Sequence, residues 1–341
     1  MKIAITGGGT GGHLSIALAL LEAAHNEGHE VIYIGSTGGQ DQSWFQDEKR
    51  FSARYFLSTS GVVNRKYLGK LWALYKIFKA VMRSRKILKT EKIDAVISVG
   101  GYSAAPATYA AFSRSIPFFI QEQNAVMGRL NAMMKPYARA FYSAFDANSP
   151  VKNYPIREAF FKKARVRHEI NAIIFLGGSQ GAQFINNLAL KVAKTLQDQG
   201  IKIIHQCGQR DYERVSAAYI QKGVEVELYD FTDKLPELME ASDLAVSRAG
   251  ASTLFELAAN GLVALYVPYP YAAGDHQFYN GKYLVDQELS WCYRECDDYE
   301  KYLLDILPKE LSEMSAGLMA MSHKDGAVAI IKDIQERIDV S

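Results

Sequence analysis

Short apolar runs alternate with longer amphipathic stretches along the whole chain, and this alternation predicts its elements. Residues 3–6 read as a buried strand, 7–12 as a glycine turn, and 14–27 as a helix that stops at Gly28. Leu14, Ala17, Leu18 and Leu21 recur on one face of that helix. Residues 31–34, 95–99, 118–120 and 141–143 read as further short strands. Strands and helices in this rhythm predict a parallel sheet covered on both faces.

The pattern then restarts. Residues 172–176 form a second strand of the first kind, followed by Gly177-Gly178-Ser179-Gln180-Gly181-Ala182 and a helix to about Asp198. Residues 201–205, 224–229, 244–247 and 264–267 continue as strands. The fold class is therefore α/β, with two similar parallel-sheet domains, 1–153 and 154–323. The last stretch, 324–341, reads as a helix that packs back on the first domain.

Composition supports two globular cores. The chain has 341 residues, too many for one compact core, with 48% hydrophobic and 22% charged side chains. Three cysteines, Cys207, Cys292 and Cys296, are too few for a disulfide framework and imply a reducing cytoplasm. No Cys/His cluster has zinc spacing, and no export signal is visible at the start. The longest uncharged run, 95–113, contains Gly100, Gly101 and Pro106 and is rejected as a membrane span. Charge is uneven. Residues 62–90 carry nine Lys/Arg and no acid, leaving 30 basic against 37 acidic side chains elsewhere. A nucleic-acid binder is usually basic over a whole domain, so nucleic acid is not an expected partner.

Gly7 to Gly12 formally contain G-x-G-x-x-G, which lets backbone N–H groups approach a phosphate at a helix start. A dinucleotide site also wants an acid at the end of the second strand, and Ile34-Gly35-Ser36-Thr37 supplies none. Neither turn continues into a Walker lysine. The plain alternative is a tight strand–helix turn that needs glycine only for geometry. His13 follows the first turn, where a neutral imidazole is either a capping residue or a general base.

The motifs become specific in combination. Gly8-Gly9-Thr10-Gly11-Gly12-His13, Gly100-Gly101-Tyr102, Glu122-Gln123-Asn124 and Gly177 to Ala182 follow in order. Arg248-Ala249-Gly250-Ala251-Ser252-Thr253 with Glu256, and Asp275-His276-Gln277 with Asn280, complete the set. Together they closely resemble the MurG family of peptidoglycan N-acetylglucosaminyltransferases. The resemblance implies a GT-B architecture, two Rossmann-like domains facing across a cleft. It implies an inverting transfer of GlcNAc from UDP-GlcNAc to the MurNAc C4 hydroxyl of lipid I, giving lipid II. By resemblance the donor is bound by Thr10, Gly11, Gly12, Asn124, Arg157, Ser179, Gln180, Gly181, Ala251, Ser252, Thr253, Glu256 and Gln277, with Glu256 on the ribose. Tyr102, Glu122 and Asn124 would meet the acceptor, and His13 or Glu122 would be the base. UDP-GlcNAc is a substrate, so no cofactor is implied, and the absence of an Asp-x-Asp run agrees with metal-independent chemistry. The chain departs from the family at Gln121, at Asn153-Tyr154-Pro155-Ile156-Arg157 and at Gly261-Leu262-Val263.

Within the basic segment, Leu68, Leu71, Trp72, Tyr75, Phe78 and Met82 recur at helical spacing among Lys70, Lys76, Lys79 and Arg83. One reading is a solvated helix with its apolar side on the core. The other is a patch for an anionic membrane surface, here the cytoplasmic face of the bacterial inner membrane, with Lys70, Leu71, Trp72, Tyr75, Lys76, Phe78, Lys79 and Arg83 in contact. Other cell-wall synthesis enzymes are candidate partners there. Another GT-B lipid glycosyltransferase, a UDP-GlcNAc 2-epimerase and an NAD-dependent oxidoreductase remain alternative functions.

Overall fold

The computed structural model describes residues 1–59, 67–178 and 181–340; in the helix that starts at Tyr67 it describes side chains from Tyr75 onward. The chain divides into two units, Met1–Arg157 with Lys324–Ser341, and Glu158–His323. The break falls between Arg157 and Glu158, where the sequence reading put it between Asn153 and Tyr154. Tyr154 and Ile156 are buried, and Asn153 donates to Asp325 at 3.0 Å, which ties this segment to the first unit.

The first unit runs β1 (Lys2–Thr6), α1 (Gly11–Asn26), β2 (Glu30–Ser36), α2 (Asp41–Phe45), β3 (Ala53–Leu57), α3 (Tyr67–Thr90), β4 (Ala95–Ser98), α4 (Ala105–Phe112), β5 (Phe118–Gln121), α5 (Arg129–Met134) and β6 (Ala140–Tyr142). Its six strands lie in the order β3-β2-β1-β4-β5-β6, all parallel. β1 and β4 are apolar and buried on both faces, as central parallel strands must be. On one face Ala4, Ile32, Val96 and Ile120 pack with Ala80, Ile87 and Leu88 of α3 and with Ala107, Ala110 and Ala111 of α4. The small residues of α4 let its backbone lie close to the sheet.

For the described part of the stripe, that packing departs from the plain reading of α3. Tyr75, Phe78 and Met82 do not face the core; they are 55%, 64% and 50% exposed. The inward side of the helix is Ala80, Ser84, Ile87 and Leu88. Lys70, Leu71 and Trp72 lie outside the residues whose side chains are described.

The second unit runs α6 (Glu158–Lys162), β7 (Ala172–Leu176), α7 (Gln183–Asp198), β8 (Lys202–Gln206), α8 (Tyr212–Lys222), β9 (Glu227–Tyr229), α9 (Leu235–Glu240), β10 (Leu244–Ser247), α10 (Ala251–Asn260), β11 (Val263–Tyr266), α11 (His276–Val285), β12 (Trp291–Cys292), α12 (Tyr299–Ile306) and α13 (Ser312–Met321). Its sheet order is β12-β11-β10-β7-β8-β9, again parallel. The last helix, α14 (Gly326–Asp339), belongs to the first unit. It packs on α1 through buried Ile330, Ile331 and Ile334, and Tyr142 donates its hydroxyl to Asp333 at 2.7 Å.

Both sheets are doubly wound from their first strand. The connections diverge at β1/β4 in one and at β7/β10 in the other. In such sheets a crevice opens beyond the carboxyl ends of the diverging strands, and ligands bind there. Both glycine turns and both of their partner loops sit at these points.

Candidate active site

In the first unit, β1 ends into the glycine turn and β4 into Gly100-Gly101-Tyr102. The two loops are knitted together, because Gly8 N–H donates to the Gly100 carbonyl at 3.2 Å. Gly101 has φ +78°, and a side chain there would strike the Gly8 carbonyl, so this crossing requires glycine. The Tyr102 ring lies over Gly9, and burial raises its hydroxyl pKa.

His13 is the third residue of α1 and is held through both ring nitrogens. Its Nε2 lies 2.9 Å from the amide nitrogen of Gln123, and its Nδ1 lies 2.9 Å from the Thr10 hydroxyl. An amide N–H₂ only donates, so Nε2 is the accepting nitrogen, and the ring proton sits on Nδ1, donated to Thr10. The imidazole is therefore neutral, with its lone pair on Nε2.

Glu122 follows β5 and is buried. Its Oε1 accepts from Asn124 N–H at 3.0 Å, and its Oε2 accepts from Gly128 N–H at 2.9 Å and from Asn131 Nδ2 at 2.8 Å. Three donors surround this carboxylate and fold the 122–131 loop around it, which sets the half-buried Asn124 in place. Thr10, Gly11, Gly12, His13, Tyr102, Glu122 and Asn124 thus all belong to one switch-point site. Gln123, Asn131 and Asp41 join them there. The sequence named Gln123 only as a motif member and pointed to neither of the others, since their partners are distant in the chain.

In the second unit, Gly177 N–H donates to the Gln206 carbonyl at 2.8 Å and Gly181 N–H to the Gly178 carbonyl at 3.1 Å. Ser179 and Gln180 lie outside the described residues. A chain of buried groups supports the turn from below. Tyr219 hydroxyl donates to His205 Nδ1, His205 Nε2–H donates to Asn186 Oδ1, and Asn186 Nδ2 donates to Asp211 and to the Cys207 carbonyl. The directions are set by Asn186, whose amide nitrogen faces two acceptors. Burial lowers the His205 pKa to about 3, so it stays neutral.

Two glycines here border open space, although Gly178, at φ +71°, still needs glycine for its backbone. A Cβ at Gly178, or at Gly250 ahead of α10, would meet nothing within 4 Å. Gly250 also has an ordinary φ of −66°. Gly250, the N-cap of α10, thus leaves open space at a helix N-terminus of the β7/β10 switch point, which suits an anionic ligand. Ala251, Ser252 and Thr253 form the first turn of α10, and Glu256 lies buried one turn further along.

A cavity of about 490 Å³ adjoins this turn. Gly177, Gly181, Asn187, Arg248, Tyr271 and Gln277 are among its lining residues, and the α10 residues are not. Gln277 accepts from Tyr269 N–H at 2.9 Å. Arg248 pairs with Glu295 at 2.6 Å and lies over the Tyr269 ring, a cavity cation for which the sequence suggested no role. Asp275 stands at the N-cap position of α11 without a side-chain cap; its carboxylate pairs with Arg294. Arg157 is half-buried at the end of the first unit, directly before α6.

Comparison with known proteins gives the arrangement a context. Residues 3–143 match the model of the glycosyltransferase family 28 N-terminal domain, and residues 172–338 that of its C-terminal domain. A Sulfurimonas denitrificans protein is 56% identical over 98% of each chain. It is described as a UDP-N-acetylglucosamine--N-acetylmuramyl-(pentapeptide) pyrophosphoryl-undecaprenol N-acetylglucosamine transferase. A Wolinella succinogenes protein of the same description is 50% identical, over 96% of this chain and 97% of its own. The crystal structure of Acinetobacter baumannii MurG matches with a TM-score of 0.77 at 27% identity, over 98% of this chain and 99% of that one.

Proposed function

The chain belongs to glycosyltransferase family 28, and from that premise we propose how it performs the transfer for which its relatives are named. It moves N-acetylglucosamine from UDP-N-acetylglucosamine to undecaprenyl-diphospho-N-acetylmuramyl-pentapeptide, lipid I, giving lipid II. Its two doubly wound units are those of the GT-B architecture.

In our reading His13 is the general base. The muramyl C4 hydroxyl displaces the Gln123 amide from Nε2 and gives that nitrogen its proton. Its oxygen bonds to the anomeric carbon as the bond from that carbon to the diphosphate breaks, and the electron pair leaves on UDP. Attack opposite the leaving group inverts the anomeric centre. The observation that carries this assignment is the pair of His13 contacts, Nδ1 to the Thr10 hydroxyl and Nε2 to the Gln123 amide nitrogen, which fits a neutral ring with its lone pair on Nε2. Glu122 suits the role less well, because three donors already engage its two oxygens.

The donor is assigned mainly to the second unit. Charge grows on the departing diphosphate, and the open start of α10 at Gly250 offers backbone donors for it. Ser179, Gln180, Gly181, Ala251, Ser252 and Thr253 would bind there, with Glu256 on the ribose hydroxyls. Gln277, Arg157 and Asn124 would meet the phosphates or the sugar, and Thr10, Gly11 and Gly12 the sugar from the first unit. Tyr102 and Asn124 would contact the acceptor. We propose that no metal ion takes part.

The acceptor's polyprenyl chain requires a membrane surface. No helix among the described residues is long and apolar enough to cross a membrane. The outward face of α3, with Tyr75, Phe78 and Met82 exposed beside Lys79, Arg83 and Lys86, fits peripheral binding to anionic lipid. We assign this to the cytoplasmic face of the inner membrane.

Incubation with radiolabelled UDP-GlcNAc and a short-chain lipid I analogue, followed by product chromatography, tests the whole reading. Labelled lipid II is expected, with equal turnover in excess EDTA. Release of free GlcNAc or its epimer alone would overturn the transfer, and restoration of lost activity by Mg²⁺ would overturn the metal-free assignment.

A further inference from the structure

The cavity beside the second glycine turn holds a matched pair of charges, and each has an edge without a partner. Arg248 makes its contacts through Nη1, which faces Glu295 Oε1 at 2.6 Å and the carbonyls of Val267 and Pro268 at 3.1 and 3.3 Å. Its Nε and Nη2 donate to nothing among the described residues, and Glu295 Oε2 accepts from nothing among them. Both side chains line the cavity. Gln277 adds a third open group. Its Oε1 accepts from Tyr269 N–H, which leaves its NH₂ to donate. Two aromatic rings complete this wall. The Tyr269 ring centroid lies 5.5 Å from the Arg248 guanidinium, and Tyr271, 83% exposed, meets Tyr269 edge-on at 5.6 Å.

These groups select a class of ligand. Glu295 already balances the Arg248 charge, so the pair leaves no net charge for an anion to neutralise, and a phosphate placed there would meet a carboxylate. A hydroxyl both donates and accepts. It can give its proton to Glu295 Oε2 and accept from Arg248 or Gln277 at the same time. The hydroxyls of a sugar ring repeat that demand at neighbouring positions, and the apolar C–H face of the ring suits a tyrosine. A volume of about 490 Å³ holds one such ring. The pair is also fixed before a ligand arrives, because two backbone carbonyls and a short ion pair hold the guanidinium in place.

We propose that Arg248 and Glu295 are specificity-determining residues that read a ring hydroxyl of the donor's N-acetylglucosamine, Glu295 as acceptor and Arg248 as donor. The inference rests on the transfer reading, in which the second unit holds the donor and Gln277 meets its phosphates or sugar. It adds to that reading a charged pair that recognises the sugar by its hydroxyls, with the ionic partner supplied from the loop after β12.

Binding and turnover are measured separately on the full chain. Calorimetry compares UDP, UDP-GlcNAc and its 3-, 4- and 6-deoxy analogues on the parent and on Glu295→Ala. In the parent at least one deoxy donor should bind about 10- to 100-fold more weakly than UDP-GlcNAc, because the missing hydroxyl leaves a charged group unpaired. In Glu295→Ala, UDP-GlcNAc itself should weaken by a similar factor, and the penalty for that same deoxy donor should shrink to about threefold or less. UDP has no sugar and should bind both proteins within about twofold of one another. A purely structural pair would weaken UDP as well or leave the deoxy penalty unchanged, and either result would overturn the proposal. So would a parent that binds all three deoxy donors as tightly as UDP-GlcNAc. Glu295→Gln keeps the shape and should lose the same discrimination in smaller degree; it serves if Glu295→Ala does not fold, and an unchanged penalty in it would overturn the proposal. Lipid II formation by the parent tests the transfer reading by itself. If lipid II forms and the deoxy penalties do not move, only the present inference falls. If no lipid II forms and the penalties move as described, the transfer falls and the sugar site stands.

Discussion

Glu122→Gln separates a carboxylate that folds a loop from one that takes a proton. The parent side chain accepts three hydrogen bonds, from Asn124 N–H, Gly128 N–H and Asn131 Nδ2. A glutamine of the same shape keeps one acceptor, which turns towards the two-donor side. Its NH₂ then meets Asn124 N–H, so one bond is lost and the other two lose their charge assistance. Hydrogen bonds to charged groups contribute about 1.5–3 kcal/mol each, so the first unit should lose about 2–4 kcal/mol. For a unit of this size that lowers its unfolding midpoint by about 5–15 °C. Differential scanning calorimetry reads the midpoint, and the pH profile of kcat reads the base. The acid limb of the profile should survive, because His13 is still present. His13→Ala is the companion variant; it should lower kcat about 10²- to 10⁴-fold with less effect on donor KM and little on the midpoint. An unchanged midpoint in Glu122→Gln, together with a comparable loss of kcat and of the acid limb, would refute the assignment and make Glu122 the base.

Three further outcomes follow from the second unit and from α3. Glu256→Ala should weaken UDP binding by about 1.5–3 kcal/mol, because hydrogen bonds to a carboxylate are charge-assisted; calorimetry giving parent affinity would remove Glu256 from the ribose. Reversing Lys70, Lys76 and Arg83 to Glu should reduce co-sedimentation with anionic vesicles and turnover of long-chain lipid I, while UDP affinity holds; equal sedimentation would reduce α3 to a solvated helix. Parent binding should also fall as salt rises, since screening acts over about 8 Å at physiological ionic strength. His205 titrates near 3 in the folded chain but near 6.5 when unfolded, so between these values the unfolded state binds more protons. Stability of the second unit should therefore be lost as pH falls from about 6.5 towards 3; a His205→Gln variant with the same pH slope in denaturant titrations would refute this.

Much of the fold is legible in the chain because its signals are local. An apolar run, a glycine turn and an amphipathic stretch follow one another within about twenty residues, and this happens twice. The strands Ala172–Leu176 and Leu244–Ser247 are where the pattern puts them. The edge strands β3 and β12 were not visible. β3 carries Arg54 and is only half-buried, and β12 has two residues, so neither shows the continuous apolar run of a central strand.

The site divides in the same way. Ordered motifs identify the family and the loops that carry its chemistry, because each motif is a short backbone geometry written in adjacent residues. Pairing across the fold is not written there. Gly9 meets Asp41 across 32 positions, and His13 meets Gln123 across 110. Only the winding of the sheet, which brings the ends of β1, β2, β4 and β5 together, decides those partners. The face of α3 is a further case. Helical spacing shows that Tyr75, Phe78 and Met82 share a side, but a period carries no sign for inside or outside. The sheet and α4 take Ala80, Ser84, Ile87 and Leu88 as the buried side, and that choice alone turns three large apolar residues outward beside the lysines and arginines.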